Sequence, residues 1–269
     1  MTLQQADLHA DCSACVGLCC VVPAFSVSSD FALDKPAHTP CPHLAGDFSC
    51  GIHAELRERG FPGCTVYDCF GAGQRVVASY AASHPGRTWR DDPHLRKAIF
   101  EDFETVERLH ELLWYLADAL ARPQSRPLRA ELEGVRDAVE RAAAAPAGAE
   151  VERWQARADV LLGEASGLVR RPAGPDLRGR DLAGQDLRGR HLVAGSLRGA
   201  VLIGADLRGL DLSDVDLLGA DVRGADVSGA DLSTSLFLTR MQVAAARGDA
   251  ATRLPDGWSR PAHYGRGHG

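Results

Sequence analysis

Lysine is nearly missing from this chain of 269 residues: of 30 cationic side chains only Lys35 and Lys97 are not arginine. With abundant alanine and glycine, that is the composition of a GC-rich bacterial genome. There is no surplus of positive charge. The net charge of −6 excludes a basic coat for nucleic acid, so no direct nucleic-acid partner is expected. No apolar run reaches the length of a membrane span, and the opening MTLQQADLHADC has neither a basic stretch nor an apolar core, so a cytoplasmic protein without a membrane partner is expected. Cysteine is missing from everything after Cys69, although eight cysteines precede that point. What remains is an ordinary globular mixture, 45% hydrophobic and 25% charged, which excludes wholesale disorder.

Charge and periodicity divide the chain at the same places. Residues 1–70 are read as a cysteine-rich metal-binding module, 71–172 as a helical bundle or spacer, 173–239 as a repeat domain, and 240–269 as a C-terminal cap helix and tail. The first 69 residues carry a net −5, whereas the segment 173–239 carries only −3. In the middle segment, Asp91, Asp92 and Pro93 signal a helix start. Leu95, Ile99, Phe103, Val106, Leu109, Leu113, Leu116 and Leu120 then recur in steps of three and four. Pro123 and Pro127 interrupt, a second stripe follows through Leu128, Leu132, Val135 and Val139, and a third through Val151, Trp154, Ala158, Leu161, Ala165 and Leu168. A small antiparallel bundle is expected. GAGQR at Gly71 to Arg75 is a weak glycine match to a phosphate loop and reads better as the start of a helix through Val76, Val77 and Tyr80.

From Leu177 to Phe237 a Leu, Val or Phe stands at every fifth position, thirteen times without an insertion, in units such as ADLRG, ADVRG and ADLST. Neither a helix nor a flat strand has that period. The pattern resembles the pentapeptide-repeat proteins. The resemblance implies a right-handed quadrilateral β-helix of about three coils, with Leu202, Leu207, Leu212, Leu217, Val222, Val227 and Leu232 stacked along its axis. Ala200, Ala205, Ala220, Ala225 and Ala230 would be their small inward partners. Arg180, Gln185 and Arg190 depart from the pattern, because small inward residues belong there. Either the helical segment covers them or the register slips. Thr239 and Gln242 have the spacing of a capping box, which marks a C-terminal cap helix ended by Gly248.

The first 69 residues hold CSACVGLCC, CPHLAGDFSCGIH and GCTVYDC. Dense cysteine outside an oxidising compartment points to metal ligation ahead of disulfides, and thiolates two or three residues apart reach one soft ion. The aliphatic content of this segment is small, so a metal could supply folding energy that a marginal core lacks. The layout resembles the YkgJ-type family of zinc- or iron-chelating domains, although three residues, Val16 to Leu18, separate the CxxC from the CC pair where that family usually has two. The ligand pool is Cys12, Cys15, Cys19, Cys20, Cys41, Cys50, Cys64 and Cys69, with His43 and His53 as further candidates. Zinc is the expected metal; iron or an iron–sulfur cluster is the alternative. Adjacent Cys19 and Cys20 point to different sides of the backbone, so two sites or a polynuclear centre fit eight thiols better than one mononuclear site. A thioredoxin-like role is disfavoured, because its CxxC opens a helix after a strand.

No nucleophile–base pair is visible, and no catalytic residue is assigned. A non-enzymatic metal-binding scaffold for protein–protein contacts, its partner unidentified, is the first functional expectation. A redox or metal-delivery accessory with an iron centre is the alternative. Family members that mimic DNA and protect type II topoisomerases suggest a third, which the short and nearly charge-balanced repeat disfavours.

Overall fold

In the computed structural model, which describes residues 7–265, the regular secondary structure is helical. Six α-helices occur among the described residues: α1 (Pro62–Val66), α2 (Ala72–Ser83), α3 (Pro93–Ala121), α4 (Arg129–Ala144), α5 (Val151–Val169) and α6 (Arg240–Ala245). The chain forms two compact units, one of Met1–Ala117 with Glu131–Asp159 and the other of Asp118–Ala130 with Val160–Gly269.

In the first unit, Asp92 starts α3 by accepting from the backbone N–H of His94 at 2.7 Å and of Leu95 at 3.3 Å. Its apolar stripe is buried from Leu95 through Val106, and Phe100 joins it on the flank. These side chains share one core with Leu18, Val21, Val22 and Cys69 from the cysteine-rich segment and with Ala72 and Val76 of α2. Trp89 closes that core and donates from its indole N–H to the Val16 carbonyl at 2.8 Å. The aliphatic residues of the first 69 are therefore too few to enclose themselves, and α2 and α3 complete their burial. Arg108 of α3 reaches Glu152 and Gln155 of α5 at 2.9 and 2.8 Å, and Arg157 of α5 reaches Glu131 of α4 at 3.2 Å.

The second unit contains the five-residue repeat, and here the expected right-handed β-helix is corrected. Among the described residues there is no β-strand and no sheet; the repeat is a coil of tight turns joined by isolated one-residue parallel bridges. The physical reason lies in the period. Within each unit a single residue, commonly the Asp before the central Leu, bridges to the residue twenty positions on, as in Asp186↔Asp206↔Asp226, and the next residues already turn. The turn ends on a left-handed residue, Gly204 at φ 64° for example, and no atom lies within 4 Å of a Cβ placed there. Backbone conformation and not space thus demands glycine. Ala194 (φ 53°) and Asp214 (φ 55°) occupy the same turn position, so the coil imposes the conformation even on an alanine.

Four units make one circuit. The central residues line up twenty apart and are buried from Leu182 to Leu232 together with Ala200, Ala205, Ala220, Ala225 and Ala230. Arg180, Gln185 and Arg190 are exposed, while Asp176, Asp181 and Asp186 keep their bridges to Ser196, Val201 and Asp206. The register does not slip; the long side chains of the first circuit turn outward. At the far end, Thr239 and Gln242 form a reciprocal capping box that opens α6. The Gln242 amide donates to the carbonyls of Leu217 and Ala220 at 2.8 and 2.9 Å. Beyond α6, Arg247 and Arg253 bridge to Asp226 and Asp231, so the tail continues the circuit past residue 239.

The side built on Leu197, Leu217 and Phe237 lies against helical residues of the same unit. Asp216 is 1% exposed and accepts from Ser166 Oγ at 2.6 Å and Arg198 Nε at 3.1 Å. Asp118 accepts from the Phe237 amide at 2.8 Å, and Arg122 donates to the carbonyls of Thr234 and Ser235. On the side that carries Asp186, Asp206 and Asp226, by contrast, Arg188 and Arg208 pair with aspartates in the open, and those hydrogen bonds hold the Asp186 carboxyl down at about 2.

The same repeat position therefore has two energetic values. Asp216→Ala removes a buried carboxylate that accepts from both Ser166 and Arg198 and is expected to cost about 3–5 kcal/mol, whereas Asp186→Ala is expected to cost much less because that carboxylate and its arginine partner are solvated. Denaturant melts of the two variants check this contrast. Ala194→Gly relieves a left-handed alanine and is expected to stabilise by up to about 1 kcal/mol in the same assay.

Candidate functional site

All eight cysteines are unpaired. Asp11 opens a short turn over Cys12–Ala14 by accepting from the Ser13 amide at 3.0 Å. Gly17 (φ 69°) then redirects the chain into a second turn over Leu18–Cys20. A side chain at Gly17 would meet Leu44 Cδ1 at 2.7 Å, so glycine is required here by space and by conformation together. The Cys41 amide donates to the Cys20 carbonyl at 2.9 Å, which joins the second cysteine element to the first. A bridge between Leu44 and Cys50 brings Cys50 back toward His43, whose carbonyl accepts from the Gly51 amide at 2.9 Å. Cys64 sits in α1, and Cys69 immediately precedes the turn into α2.

The sulfurs fall into two overlapping neighbourhoods. A Cβ at Gly73, in the first turn of α2, would lie 2.7 Å from Cys15 Sγ and 3.8 Å from Cys69 Sγ, so these sulfurs, 54 positions apart in the chain, flank one glycine. Backbone N–H groups of Gly73 and Gly71 favour the Cys69 thiolate, but burial is the larger effect and pushes its thiol up to about 12. Cys15 is raised by burial and, further down, by Cys19 and Cys12. Cys64 belongs to the other neighbourhood: burial, then Cys19, Cys41 and Cys50, push it up to about 11. Cys19 touches both groups. Its sulfur lies 4.0 Å from that of Cys20, and this contact is the first cause of its raised pKa.

The structure does not gather these groups into a closed shell. Among the described residues no three His, Cys, Asp or Glu side chains are placed to hold one metal ion. His43 is half-buried with its ring 5.3 Å from that of Phe61 in an edge-on contact, and His53 is exposed. The donor chemistry suits a soft ion such as zinc; a tetrahedral shell requires the thiol side chains to turn toward a common point.

Two residues that the cysteine spacing does not reveal stand beside these groups. Lys35, in the segment between Cys20 and Cys41, is buried and donates to the carbonyls of Val21 and Thr39. His110 of α3 is 2% exposed; its Nδ1 bonds to the Phe70 carbonyl at 2.8 Å, next to Cys69, and its Nε2 has no partner among the described residues. No local motif marks His110, because its partner lies 40 residues away. Lys35 carries a compositional mark, being one of two lysines in the chain. Tyr67 donates to Glu107 at 2.6 Å and ties the segment between Cys64 and Cys69 to α3.

A circuit of four five-residue units, each turning its central residue into a common core, defines a protein of the pentapeptide-repeat class. Residues 196–233 match pentapeptide repeats in eight copies. The chain is 49% identical over 268 residues to "Uncharacterized protein YybG" of Bacillus subtilis (strain 168), a match covering 96% of this chain and 95% of that protein. The chain belongs to the pentapeptide-repeat family. Among solved structures, a pentapeptide repeat protein from the Arabidopsis thaliana thylakoid lumen is 28% identical, with 32% of this chain and 68% of that one covered and a TM-score of 0.10. No helix among the described residues is long and apolar enough to cross a membrane.

Burial pushes His110 down to about 4, with Arg75 acting in the same direction and the Phe70 carbonyl opposing. An unfolded histidine binds its proton near 6.5, so between about 6.5 and about 4 the unfolded chain holds more protons and stability falls as pH falls. The loss is expected to approach about 3 kcal/mol at the acid end of that window. His110→Leu should flatten this part of the pH profile relative to the parent protein, as read from urea melts at a series of pH values.

Proposed function

We propose that this pentapeptide-repeat protein is a non-enzymatic scaffold for protein–protein contacts whose N-terminal cysteines bind metal. The observation that carries the reading is the confinement of eight unpaired thiols to two touching neighbourhoods within residues 12–69. Cys12, Cys15, Cys19 and Cys69 supply one group of donors; Cys20, Cys41, Cys50 and Cys64 supply the other, and His43 and His53 are supplementary. A bound zinc supplies cross-linking of distant loops, which is structural rather than catalytic chemistry. The chain's own contribution is to hold the donors: Gly17 and Gly73 allow close backbone approach, and the amides of Gly71 and Gly73 favour a thiolate at Cys69.

The open sides of the coil support the scaffold part of the reading, because they present paired arginines and aspartates on a backbone fixed at regular spacing. These pairs disfavour DNA mimicry, since Arg188, Arg208 and Arg223 neutralise aspartates that a DNA mimic would leave bare. An iron or iron–sulfur accessory remains the second reading, favoured by a sulfur content beyond the need of a single zinc.

Elemental analysis and a visible spectrum of the anaerobically purified full chain test the reading. Stoichiometric zinc in a colourless protein is expected, and chelation should make the thiols reactive and the first unit protease-sensitive. Stoichiometric iron with visible absorption selects the second reading. Metal-free protein with every thiol freely titratable would overturn metal binding altogether.

A further inference from the structure

Lys35 is the most deeply buried cation of the chain's cysteine-rich segment, 3% exposed. Its backbone is locked by two hydrogen bonds with Phe25, from the Phe25 amide at 3.0 Å and to the Phe25 carbonyl at 2.8 Å. The ammonium donates to three carbonyls, those of Val21 at 2.9 Å, Thr39 at 2.9 Å and Pro36 at 3.2 Å, and lies 5.0 Å from the centre of the Phe25 ring. An ammonium has three N–H donors, so all are used. Three carbonyls converging on one point suit this compact group better than the planar fork of arginine, which accounts for a lysine in a chain that otherwise uses arginine almost throughout.

The donors are satisfied, but the charge is not. Buried charges are paired or sit beside a charged centre, because removal of an ion from water costs several kcal/mol. No carboxylate forms an ion pair with Lys35 among the described residues. Burial lowers its pKa, and the groups that act the other way are the sulfurs of Cys41 and then Cys20. Those two residues are joined by the bond from the Cys41 amide to the Cys20 carbonyl, and Lys35 binds the carbonyls of Val21, which follows Cys20, and of Thr39, two residues before Cys41.

We propose that Lys35 is the built-in counter-charge of a thiolate metal centre that includes Cys20 and Cys41, and that it acts as a positioning residue by holding the two cysteine-bearing loops together. The inference rests on the metal-binding reading above. A divalent ion bound by four thiolates carries a net charge of −2, and a fixed ammonium beside it offsets half of that without occupying a coordination position. In the same geometry, the three carbonyls keep the ammonium from competing for the sulfurs as a hydrogen-bond donor.

The test uses the full chain and zinc alone. Zinc affinity is measured by competition with a chromophoric chelator for the parent, Lys35→Met, Lys35→Gln and Lys35→Arg. A charge role predicts a loss of roughly 10- to 100-fold for the two neutral variants, in the range found for groups that support metal ligands, and better retention in Lys35→Arg. A purely structural role predicts that Lys35→Gln, which keeps amide donors, outperforms Lys35→Arg. The parent protein provides a measurement that does not depend on the folding of a variant. With ¹³C-labelled lysine, two side-chain environments are present, and Lys97, whose side chain is 77% exposed, is the internal reference. Removal of zinc should move the Lys35 signal, re-addition should restore it, and Lys97 should stay in place. Zinc binding with a silent Lys35 signal, or undiminished affinity in Lys35→Met, overturns the counter-charge alone; a parent chain that binds no zinc overturns the metal-binding reading with it.

Discussion

The constraint on which the repeat depends is that its backbone amides and carbonyls must find partners twenty residues away. A buried peptide group without a partner is costly, and the coil meets that demand with single bridges: Leu202 donates to Asp221 at 2.7 Å while Asp221 donates to Ala200 at 2.9 Å. Four turns in every circuit leave no length for a strand, so order comes from the repetition of one short contact. This arrangement explains why a left-handed residue recurs every five positions from Gly179 to Gly229 and why Ala194 and Asp214 are held there despite their side chains. It explains also why the tail does not simply stop. Arg247 and Arg253 take up bridges that would otherwise end at Asp226 and Asp231, with α6 standing in for one side of the circuit.

Position in the repeat is legible from sequence because it is local. Leu207 and Ala205 point inward for reasons contained within five residues, and the period alone identifies them. The length of the extended backbone is not contained in the period, and an expectation of strands therefore failed where one bridging residue per side suffices. The fate of Arg180, Gln185 and Arg190 was equally illegible. Their residue types say that they cannot be buried, but only the first circuit's place at the end of the stack allows them to turn outward while Leu182 and Leu187 keep their register. Asp216 and Asp186 make the same point for energetics. They are identical in the pattern, and one becomes a buried ion-pair partner because Ser166 and Arg198 reach it.

In the first unit the cysteines themselves were conspicuous, whereas the groups around them were not. Spacing alone associates Cys12 with Cys15 or Cys19 with Cys20. It cannot place the sulfurs of Cys15 and Cys69 beside the same glycine, Gly73, since that juxtaposition needs α2 to fold back on the turn at Cys12–Ala14. The core beneath the cysteines was hidden for a similar reason. Leu18, Val21 and Val22 look insufficient when read within their own segment, and they are sufficient once Val76, Trp89 and Phe100 pack on them. His110 reaches Phe70 across 40 residues and could not be anticipated from any motif.

Lys35 shows what composition can offer when a motif is silent. A chain that uses arginine for 28 of 30 cationic positions has a physical reason to keep a lysine where the charge must be compact and enclosed. Exposed arginines in this protein pair with carboxylates in the open, at Asp186, Asp206 and Asp221, where a planar fork and a screened charge are an advantage. The buried lysine meets three carbonyls and an aromatic ring instead. That difference in surroundings sets the solvated arginines of the coil, whose charge is screened, apart from the one lysine whose three N–H donors are each taken up by a carbonyl in the interior.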